Sequence, residues 1–328
     1  MNATSINKIG VFTSGGDAPG MNAAIRAVVR ASNFFQKESM GIARGYEGMI
    51  EGDISKLGTR SVGNIIQRGG TILKSARSET FRTKEGRAKA IAQLRKHGID
   101  GLVAIGGDGT FTGLHALIEE SGIPAICVPG TIDNDIAGTD YTIGYDTATN
   151  TAVEAIDRIR DTALSHNRLF FIEVMGRHSG YIALNSAIAG GAVAVIIPEA
   201  ETTFDELYTI LEQSGKANKK SSLVVVAEGA KLTAMDLARM VAERSNYFDI
   251  KVTILGHLQR GGSPTYFDRV LASQMGVAAV EGLLGGKTDC MVGIRNGKMV
   301  YNSFKDIMNG QTHEIDPGAL RLAKILST

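Results

Sequence analysis

Short apolar runs rich in β-branched residues alternate with longer amphipathic segments along the chain. In the first amphipathic segment, Met21, Ile25 and Val28 follow the spacing of one helical face. Arg26 and Arg30 fall on the opposite face, as in a helix with one side in solvent. The two patterns predict strands over 9–13, 102–105, 125–128, 169–174, 193–197, 223–227 and 252–255, and helices over 21–35, 84–97 and 204–212.

This alternation is typical of parallel sheets that are covered by helices on both faces. The sequence therefore predicts an α/β fold, and its 328 residues favour about two domains. Ligands of such folds bind at the carboxyl ends of the strands. The glycine-rich and charged clusters of the chain follow predicted strands, and they read SGGDAPG, GGDGT, PGTIDND, MGRHSG, AEG and GHLQRGGSP.

Charge and composition narrow the class of partner. The 35 basic and 34 acidic residues leave a net charge of +1, so neither nucleic acid nor a membrane surface is expected as a partner. The two cysteines, Cys127 and Cys290, lie in apolar runs and indicate a reducing compartment. The uncharged stretch 179–198 contains polar and glycine breaks, which favour a helix, a turn and a strand over a membrane span. No apolar leader precedes the first strand, and we expect a soluble, cytoplasmic protein.

Two glycine-rich clusters are candidates for phosphate binding. Gly15 and its neighbours join a strand to a helix, whose first backbone N–H groups attract anions. Gly107 and Gly109 flank Asp108, whose carboxylate suits the Mg²⁺ of a bound triphosphate. Each cluster also has a plainer interpretation as a tight turn.

Asp133 and Asp135 lie two residues apart in a predicted loop, so an extended backbone directs both carboxylates to one side. One carboxylate is suited to accept the proton of a hydroxyl nucleophile as a general base. The other is suited to hold the metal or to stabilise the loop. Asp and Asn are also common in turns, which is the alternative interpretation. Guanidinium groups bind phosphates, although a single arginine is more often a surface residue. The cationic candidates are Arg77, Arg168, Arg177, His257 and Arg260, and several of them lie at predicted strand ends.

Other chemistries lack their sequence signature. Neither GxxxxGK[ST] nor a GxGxxG after a strand occurs, so the P-loop and the dehydrogenase type of nucleotide site are not predicted. The six histidines have no metal-ligand spacing, which argues against zinc catalysis.

In this order and spacing, SGGDAPGMN, GGDGT, PGTIDND, MGRHSG and GHLQRGGSP resemble the ATP-dependent 6-phosphofructokinases of bacteria over about 9–275. The resemblance implies two αβα sandwich lobes with mainly parallel sheets and the active site in the cleft between them. It implies an ATP-binding lobe over 1–143 plus 258–308, and a fructose 6-phosphate-binding lobe over 144–257 plus 309–328. It also implies a homotetramer in which a neighbouring subunit completes each substrate site.

The implied reaction is in-line transfer of a phosphoryl group from Mg²⁺-bound ATP to the 1-hydroxyl of fructose 6-phosphate, the committing step of glycolysis. Asp133 would accept the hydroxyl proton, and Arg177 and Arg77 would counter the charge of the phosphoryl group. The implied catalytic residues are Asp133, Arg177, Arg77, Thr131 and Asp135. The implied ATP-binding residues are Gly15, Arg77, Ser78, Gly107, Asp108, Gly109 and Thr110, with Asp108 on the Mg²⁺. The implied substrate-binding residues are Thr131, Asp133, Arg168 (from the neighbouring subunit), Met175, Gly176, Arg177, Glu228, Lys251, His257 and Arg260.

Two glycines favour ATP as the phosphoryl donor. Relatives that use pyrophosphate carry Asp at the position of Gly109 and Lys at the position of Gly130, where bulk occupies the space of the α-phosphate. Two other functions stay open at this point. One is a pyrophosphate-dependent or different sugar-phosphate kinase on the same scaffold. The other is a non-catalytic nucleotide-sensing subunit, against which the retained Asp108, Asp133 and Arg177 argue.

The resemblance extends to the family's effector site, which binds ADP or phosphoenolpyruvate. The matching residues are Arg26, Arg30, Arg160 and Lys219. Val193 and Ala217 replace an acidic residue and a lysine there, so we expect anion binding with weakened activation by Mg–ADP. At the substrate site, Lys251 stands where the family usually has arginine, which keeps the charge and loses the bidentate fork.

Overall fold

A computed structural model of the chain describes residues 6–164, 168–216, 222–309 and 315–327. The chain divides into two compact units, and each contains its own β-sheet. Unit 1 comprises Met1–Ile132, Ile136–Asp146 and Arg260–His313, and unit 2 comprises Asp133–Asp135, Thr147–Gln259 and Glu314–Thr328.

Strands and helices alternate through most of the chain, as the hydrophobic pattern predicts. The strands are β1 (Lys8–Thr13), β2 (Glu38–Ile42), β3 (Ile54–Leu57), β4 (Gly101–Gly106), β5 (Ala125–Pro129), β6 (Arg168–Val174), β7 (Ala194–Ile196), β8 (Ser222–Ala227), β9 (Asp249–Ile254), β10 (Cys290–Arg295) and β11 (Lys298–Ser303). The helices are α1 (Met21–Phe34), α2 (Gly45–Glu51), α3 (Lys84–Lys96), α4 (Asp108–Ser121), α5 (Tyr145–Leu164), α6 (Tyr181–Ala189), α7 (Phe204–Lys216), α8 (Ala234–Arg244), α9 (Tyr266–Leu284), α10 (Phe304–Asn309) and α11 (Pro317–Leu326).

The sheet of unit 1 has seven strands in the order β11-β10-β5-β4-β1-β2-β3. The strands from β10 to β2 pair in parallel, whereas β11 and β3 pair antiparallel at the two edges. Every residue of β4 is buried, as expected for a central strand covered on both faces. Phe12, Leu102 and Phe111 belong to the hydrophobic core of this unit. The carboxyl ends of β1, β4 and β5 therefore meet at one edge of the sheet.

The sheet of unit 2 has four parallel strands in the order β7-β8-β6-β9. Phe171, Leu211 and Val224 lie in its core. Because β6 lies between β8 and β9, the segments that follow these three strands emerge at the same edge. After β8, helix α8 begins with a capping box that Thr233 and Asp236 form.

The predicted α/β class with mainly parallel sheets is confirmed, and each predicted strand and helix is present. The uncharged stretch 179–198 forms α6 and β7, as predicted. Four further strands, β2, β3, β10 and β11, were not predicted. The β10–β11 hairpin turns at Asn296-Gly297, where both residues have positive φ, as in a type I′ turn. No helix in the part of the chain that the structure describes is long and apolar enough to cross a bilayer.

Candidate active site

The glycine-rich ends of β1, β4 and β5 lie side by side in unit 1. The backbone N–H of Ser14 donates to the carbonyl of Ile105 over 3.0 Å, and the hydroxyl of Thr110 donates to the carbonyl of Ser14 over 3.3 Å. The N–H of Gly130 donates to the carbonyl of Gly106 over 3.0 Å. Three of the candidate clusters therefore form one continuous edge, as the parallel order requires.

The loop after β1 also contacts Arg260, which comes from a distant part of the chain. Gly15 has a φ of +82°, a conformation that glycine adopts without strain. A Cβ at Gly16 would lie 2.3 Å from Nη1 of Arg260, and this Nη1 donates to the carbonyl of Asp17 over 3.1 Å. Gly16 therefore provides the space in which Arg260, a predicted substrate-binding residue, contacts the backbone of this loop.

Asp108 is the first residue of α4, and Gly107 precedes it at the N-cap. The side chain of Asp108 is exposed, and a Cβ at Gly109 would meet nothing within 4 Å. A Cβ at Gly107 would lie 3.8 Å from that of Thr131, so the ends of β4 and β5 also meet through side chains. The start of a helix favours negative charge, and the two glycines keep it open to a ligand.

Asp108 fits a magnesium ion that arrives with a nucleotide. Among the described residues, no three or more His, Cys, Asp or Glu side chains are grouped to hold a metal by themselves. Mg²⁺ is usually bound through one or two carboxylates, with water and substrate phosphates as its other ligands. An exposed carboxylate beside an open helix start meets that requirement.

Asn22 holds the loop that carries Arg77 and Ser78. Its side chain is buried. Its Nδ2 donates to the carbonyls of Arg68 and Gly69, each over 3.1 Å. Its Oδ1 accepts the N–H of Ile72 over 2.7 Å. We call residues 68–78 the 68–78 loop.

The second half of the 68–78 loop is fixed by Thr13. Its hydroxyl donates to the carbonyl of Lys74 over 2.8 Å. Lys74 has a φ of +58°, and its side chain is exposed. Arg77 is also exposed, and Oγ of Ser78 accepts the N–H of Phe81 over 3.2 Å. Arg77 and Ser78, the two predicted ATP-binding residues of this loop, therefore follow a backbone segment that hydrogen bonds to Asn22 and Thr13 hold in place.

The predicted base lies in the short segment Asp133–Asp135, which belongs to unit 2. Asp133 is 4% exposed and Asn134 is 2% exposed, whereas Asp135 is partly buried. Asn134 has a φ of +51°, which turns the backbone between the two carboxylates, so the extended backbone expected from their spacing is wrong. All three residues make polar interactions in the structure. Burial of Asp133 restricts its position, as a general base requires.

In unit 2, the segment after β6 is held by side chains that follow its two neighbouring strands. Oε1 of Glu228, after β8, accepts the N–H of Arg177 over 2.7 Å and that of Gly176 over 3.3 Å. Oε1 of Gln259, after β9, accepts the N–H of Met175 over 2.8 Å. Three consecutive N–H groups are therefore bonded to side-chain oxygens. We call residues 175–179 the 175–179 loop.

The 175–179 loop presents Arg177 with its backbone in the left-handed region. Arg177 has a φ of +52°, and its side chain is exposed. A Cβ at Gly229 would lie 1.8 Å from the carbonyl oxygen of Arg177, so this glycine permits the close approach of two backbones. His257 is exposed in the short 3₁₀ helix that follows β9. Met175, Gly176, Arg177, Glu228 and His257 all lie at the carboxyl edge of this sheet, as predicted.

Arg168 and Lys251 lie together at the opposite end of β6. Nε of Arg168 is 2.9 Å from Oδ2 of Asp249, and Nζ of Lys251 is 2.7 Å from Oδ1. The hydrogen bond from Lys251, followed by that from Arg168, holds the pKa of Asp249 below its usual value. Arg168 begins β6 and Met175 follows its end, so about 20 Å of strand separates these two groups of predicted substrate-binding residues.

The predicted effector residues fall in both units. Arg26 and Arg30 lie on α1 in unit 1, where burial and then the charge of Arg30 lower the pKa of Arg26. In unit 2, Nη2 of Arg160 donates to the carbonyls of Gly190 and Gly191. Val193, which replaces an acidic residue, is buried just before β7. The remaining positions, Lys219 and Ala217, lie outside the described residues.

Four residues that bond the loops or side chains of the site are absent from the sequence-based predictions of site residues: Thr13, Asn22, Asp249 and Gln259. Asn22 and Gln259 stand inside the motifs SGGDAPGMN and GHLQRGGSP, which is the signal that was available. Their partners lie 46 to 84 residues away along the chain, and no local pattern indicates such partners.

Comparisons with known proteins find similarity to one protein family over nearly the whole chain. The family model described as phosphofructokinase matches residues 8–283. An ATP-dependent 6-phosphofructokinase 1 of Thermus thermophilus is 57% identical over 323 residues, which cover 98% of this chain and 100% of that protein. An ATP-dependent 6-phosphofructokinase of Halalkalibacterium halodurans is 53% identical over 322 residues, with 98% and 100% covered.

Solved structures agree with this grouping. A phosphofructokinase from Saccharomyces cerevisiae superposes with a TM-score of 0.87 at 35% identity, covering 98% of this chain and 48% of the yeast chain. A pyrophosphate-dependent phosphofructokinase from Marinobacter aquaeolei superposes with a TM-score of 0.84, covering 98% of this chain and 91% of that one. Its identity is only 22%, so this likeness concerns the fold alone.

Proposed function

The chain belongs to the phosphofructokinase family, and on that basis we propose how its residues phosphorylate fructose 6-phosphate with ATP. The protein is an enzyme that transfers a phosphoryl group to the 1-hydroxyl, giving fructose 1,6-bisphosphate and ADP in the committing step of glycolysis. The structural observation that carries the assignment of residues is the continuous glycine-rich edge of unit 1, on which Asp108 is exposed.

Unit 1 binds ATP in this proposal, and the ATP-binding lobe predicted from the sequence, 1–143 plus 258–308, differs from it, for instance in including Asp133–Asp135 and Gln259. The glycine-lined strand ends let the backbone approach the phosphates, and the start of α4 favours their charge. The proposed ATP-binding residues are Gly15, Arg77, Ser78, Gly107, Asp108, Gly109 and Thr110. Mg²⁺ is the proposed cofactor, and Asp108 would hold it directly or through water. Bound there, the ion would neutralise phosphate charge during transfer.

Unit 2 supplies most of the acceptor side in this proposal, including Asp133 and Asp135, which the sequence-based prediction placed outside its substrate lobe of 144–257 plus 309–328. Asp133 would accept the proton of the 1-hydroxyl, and Arg177 would counter the charge of the moving phosphoryl group with Arg77. Thr131 and Asp135 would orient the base and the substrate. The proposed substrate-binding residues are Thr131, Asp133, Arg168, Met175, Gly176, Arg177, Glu228, Lys251, His257 and Arg260.

We also propose that neighbouring subunits share the substrate site in a homotetramer. Arg168 and Lys251 form a cationic pair with Asp249 at the end of β6 farthest from Met175. A single sugar monophosphate is much shorter than the roughly 20 Å length of this strand. One sugar phosphate on the 175–179 loop would therefore meet the cationic pair of a different subunit.

For regulation, we propose an anion site that includes Arg26, Arg30, Arg160 and Lys219. The buried Val193 offers no carboxylate to a metal–nucleotide complex, so activation by Mg–ADP would be weak. Sugar-phosphate saturation curves with and without ADP test this, and a strong shift to lower concentration would contradict it. A cytoplasmic location is proposed from the two buried free cysteines, Cys127 and Cys290, which suit a reducing compartment.

The donor is tested by a coupled assay of the purified protein with ATP and, separately, with pyrophosphate. We expect Mg²⁺-dependent turnover with ATP and none with pyrophosphate. Gly130 supports this expectation, because a Cβ there would already lie 3.1 Å from side-chain atoms of Ile105 and Met21. Turnover with pyrophosphate alone would support the alternative kinase, and tight ATP binding without turnover would support a nucleotide sensor.

The role of Asp133 is tested by Asp133→Ser. Loss of a general base lowers turnover by about 10²–10⁴-fold, and we expect kcat to fall within this range. Asp205→Ser is the matched control, because Asp205 is an exposed residue of α7 that pairs with Arg244. Near-normal turnover of Asp133→Ser would remove Asp133 from the mechanism.

A further inference from the structure

Gln259 is completely buried, and among the described residues its side chain forms one hydrogen bond with the 175–179 loop. Its Oε1 accepts the N–H of Met175 over 2.8 Å, across 84 residues of sequence. Its Nε2 is also buried and has no hydrogen-bond partner among the described residues. A buried donor without an acceptor lowers stability, so a methionine of similar shape would fill the same space at a smaller cost in folding free energy. The amide is therefore poorly explained by packing alone.

The acceptor of Gln259 completes a pattern that begins with Glu228. Glu228 bonds the N–H groups of Gly176 and Arg177, and Gln259 bonds the preceding one. The two side chains approach the 175–179 loop from β8 and β9, on either side of β6. Bonds from both sides limit sideways movement of the loop, whereas Glu228 alone holds it from one side.

We propose that Gln259 is a positioning residue that fixes the 175–179 loop for sugar-phosphate binding and phosphoryl transfer. It acts through the N–H of Met175 and does not itself touch the reacting atoms. The loop includes Arg177, whose left-handed backbone directs the guanidinium group. A displacement of about 1 Å at such a group costs about 10²-fold in rate. This inference rests on the proposed function, because it concerns the substrate side of that reaction.

The test is Gln259→Met in the full chain. Methionine removes both the acceptor for Met175 and the unmet Nε2 donor, so the two effects on stability oppose each other. We expect a midpoint of thermal unfolding close to that of the parent protein. We expect kcat/KM for fructose 6-phosphate to fall by about 10–10²-fold, with KM for ATP changed less than twofold. A residue that only supports packing would lower stability and leave the two substrates equally affected.

Two further variants decide the interpretation. Gln259→Glu keeps an oxygen at the acceptor position, and burial favours its neutral acid, which has the shape of the amide. We expect it to recover most of the kcat/KM that Gln259→Met loses. Gln93→Met is the matched control, because Gln93 in α3 also has a buried amide atom, Oε1, without a partner among the described residues. Its kinetics with both substrates should equal those of the parent.

The outcomes separate this inference from the proposed function. A parent protein without ATP-dependent turnover of fructose 6-phosphate would overturn the proposed function. An active parent whose Gln259→Met variant keeps its kcat/KM for fructose 6-phosphate would overturn the positioning role alone. A loss that is equal in Gln259→Glu and Gln259→Met would also overturn it, since the acceptor oxygen would then be irrelevant.

Discussion

The two loops that carry the proposed phosphate-handling arginines are held through different sets of backbone groups. In unit 1, side-chain donors of Asn22 and Thr13 bond three carbonyls of the 68–78 loop, and Oδ1 of Asn22 accepts one N–H, that of Ile72. In unit 2, side-chain acceptors bond the N–H groups of the 175–179 loop, through Glu228 and Gln259. The difference concerns which backbone groups remain to face a ligand.

An N–H group that donates to a side-chain oxygen, such as that of Glu228 or Gln259, is not available to a phosphate. The three N–H groups at the start of the 175–179 loop are used in this way, so the proposed anion binding in unit 2 would depend on side chains such as Arg177 and His257. In the same proposal, unit 1 instead offers helix starts and glycines, whose backbone N–H groups would bind phosphate directly. We infer that the sugar side of the reaction is more sensitive to single side chains than the nucleotide side.

The largest effect on this contrast is expected from Gly229→Ala. The added Cβ would lie 1.8 Å from the carbonyl oxygen of Arg177, a backbone atom of a residue whose N–H is bonded to Glu228, so the loop backbone has to shift. We expect kcat/KM for fructose 6-phosphate to fall by about 10²-fold. Titration with a fluorescent ATP analogue should give an unchanged affinity. Gly58→Ala is the control, because a Cβ there meets nothing within 4 Å. Equal weakening of both substrates would contradict a role confined to the sugar side.

A smaller effect, on the other unit, is expected from Asn22→Ala. The substitution leaves three backbone groups of the 68–78 loop without their partner, at about 1 kcal/mol each. We expect the free energy of unfolding to fall by about 3 kcal/mol in urea titrations, and KM for ATP to rise about tenfold. Asn302→Ala is the control, since Asn302 bonds the carbonyl of Gly138 elsewhere in unit 1. A change in KM for fructose 6-phosphate alone would reverse the assignment of the two loops.

The smallest effect is expected from Lys74→Gly. The left-handed backbone at this position destabilises the folded state by about 1 kcal/mol when the residue is lysine, and glycine adopts it without this strain. We expect stability to rise by up to about 1 kcal/mol, offset in part by the greater freedom of glycine in the unfolded chain. Lys74→Ala should show no such gain, because alanine keeps the strain. If both variants bind ATP more weakly than the parent, the Lys74 ammonium group contributes to binding.

Much of the candidate site follows from local sequence. Residues such as Gly15 and Asp108 could be placed because a β-strand, a glycine turn and a helix are encoded within about fifteen residues, and parallel pairing then brings the strand ends together. The edge strands were harder, since β3 has only four residues and alternates weakly. The hairpin of β10 and β11 was missed although Asn296-Gly297 is a strong turn signal.

The supporting contacts could not be predicted in the same way. Gln259 bonds Met175 only because β6 and β9 are neighbours, and strand order is a property of the whole sheet. The same holds for Asp249, which meets Arg168 through the register of these two strands. Motif chemistry identifies the groups that touch a substrate, whereas tertiary pairing determines the groups that hold them.

The division of the chain has a consequence for biosynthesis. Most of unit 2 is one continuous stretch, Thr147–Gln259, which contains all four strands of its sheet. Unit 1 needs α9, β10 and β11 from the end of the chain, and α9 packs so tightly on α1 that a Cβ at Gly276 would lie 2.7 Å from that of Ala27. On the ribosome, the strands of the inserted stretch are therefore all available while the earlier-made strands β1 to β5 still lack their last partners, and unpaired strand edges of this kind are prone to aggregation.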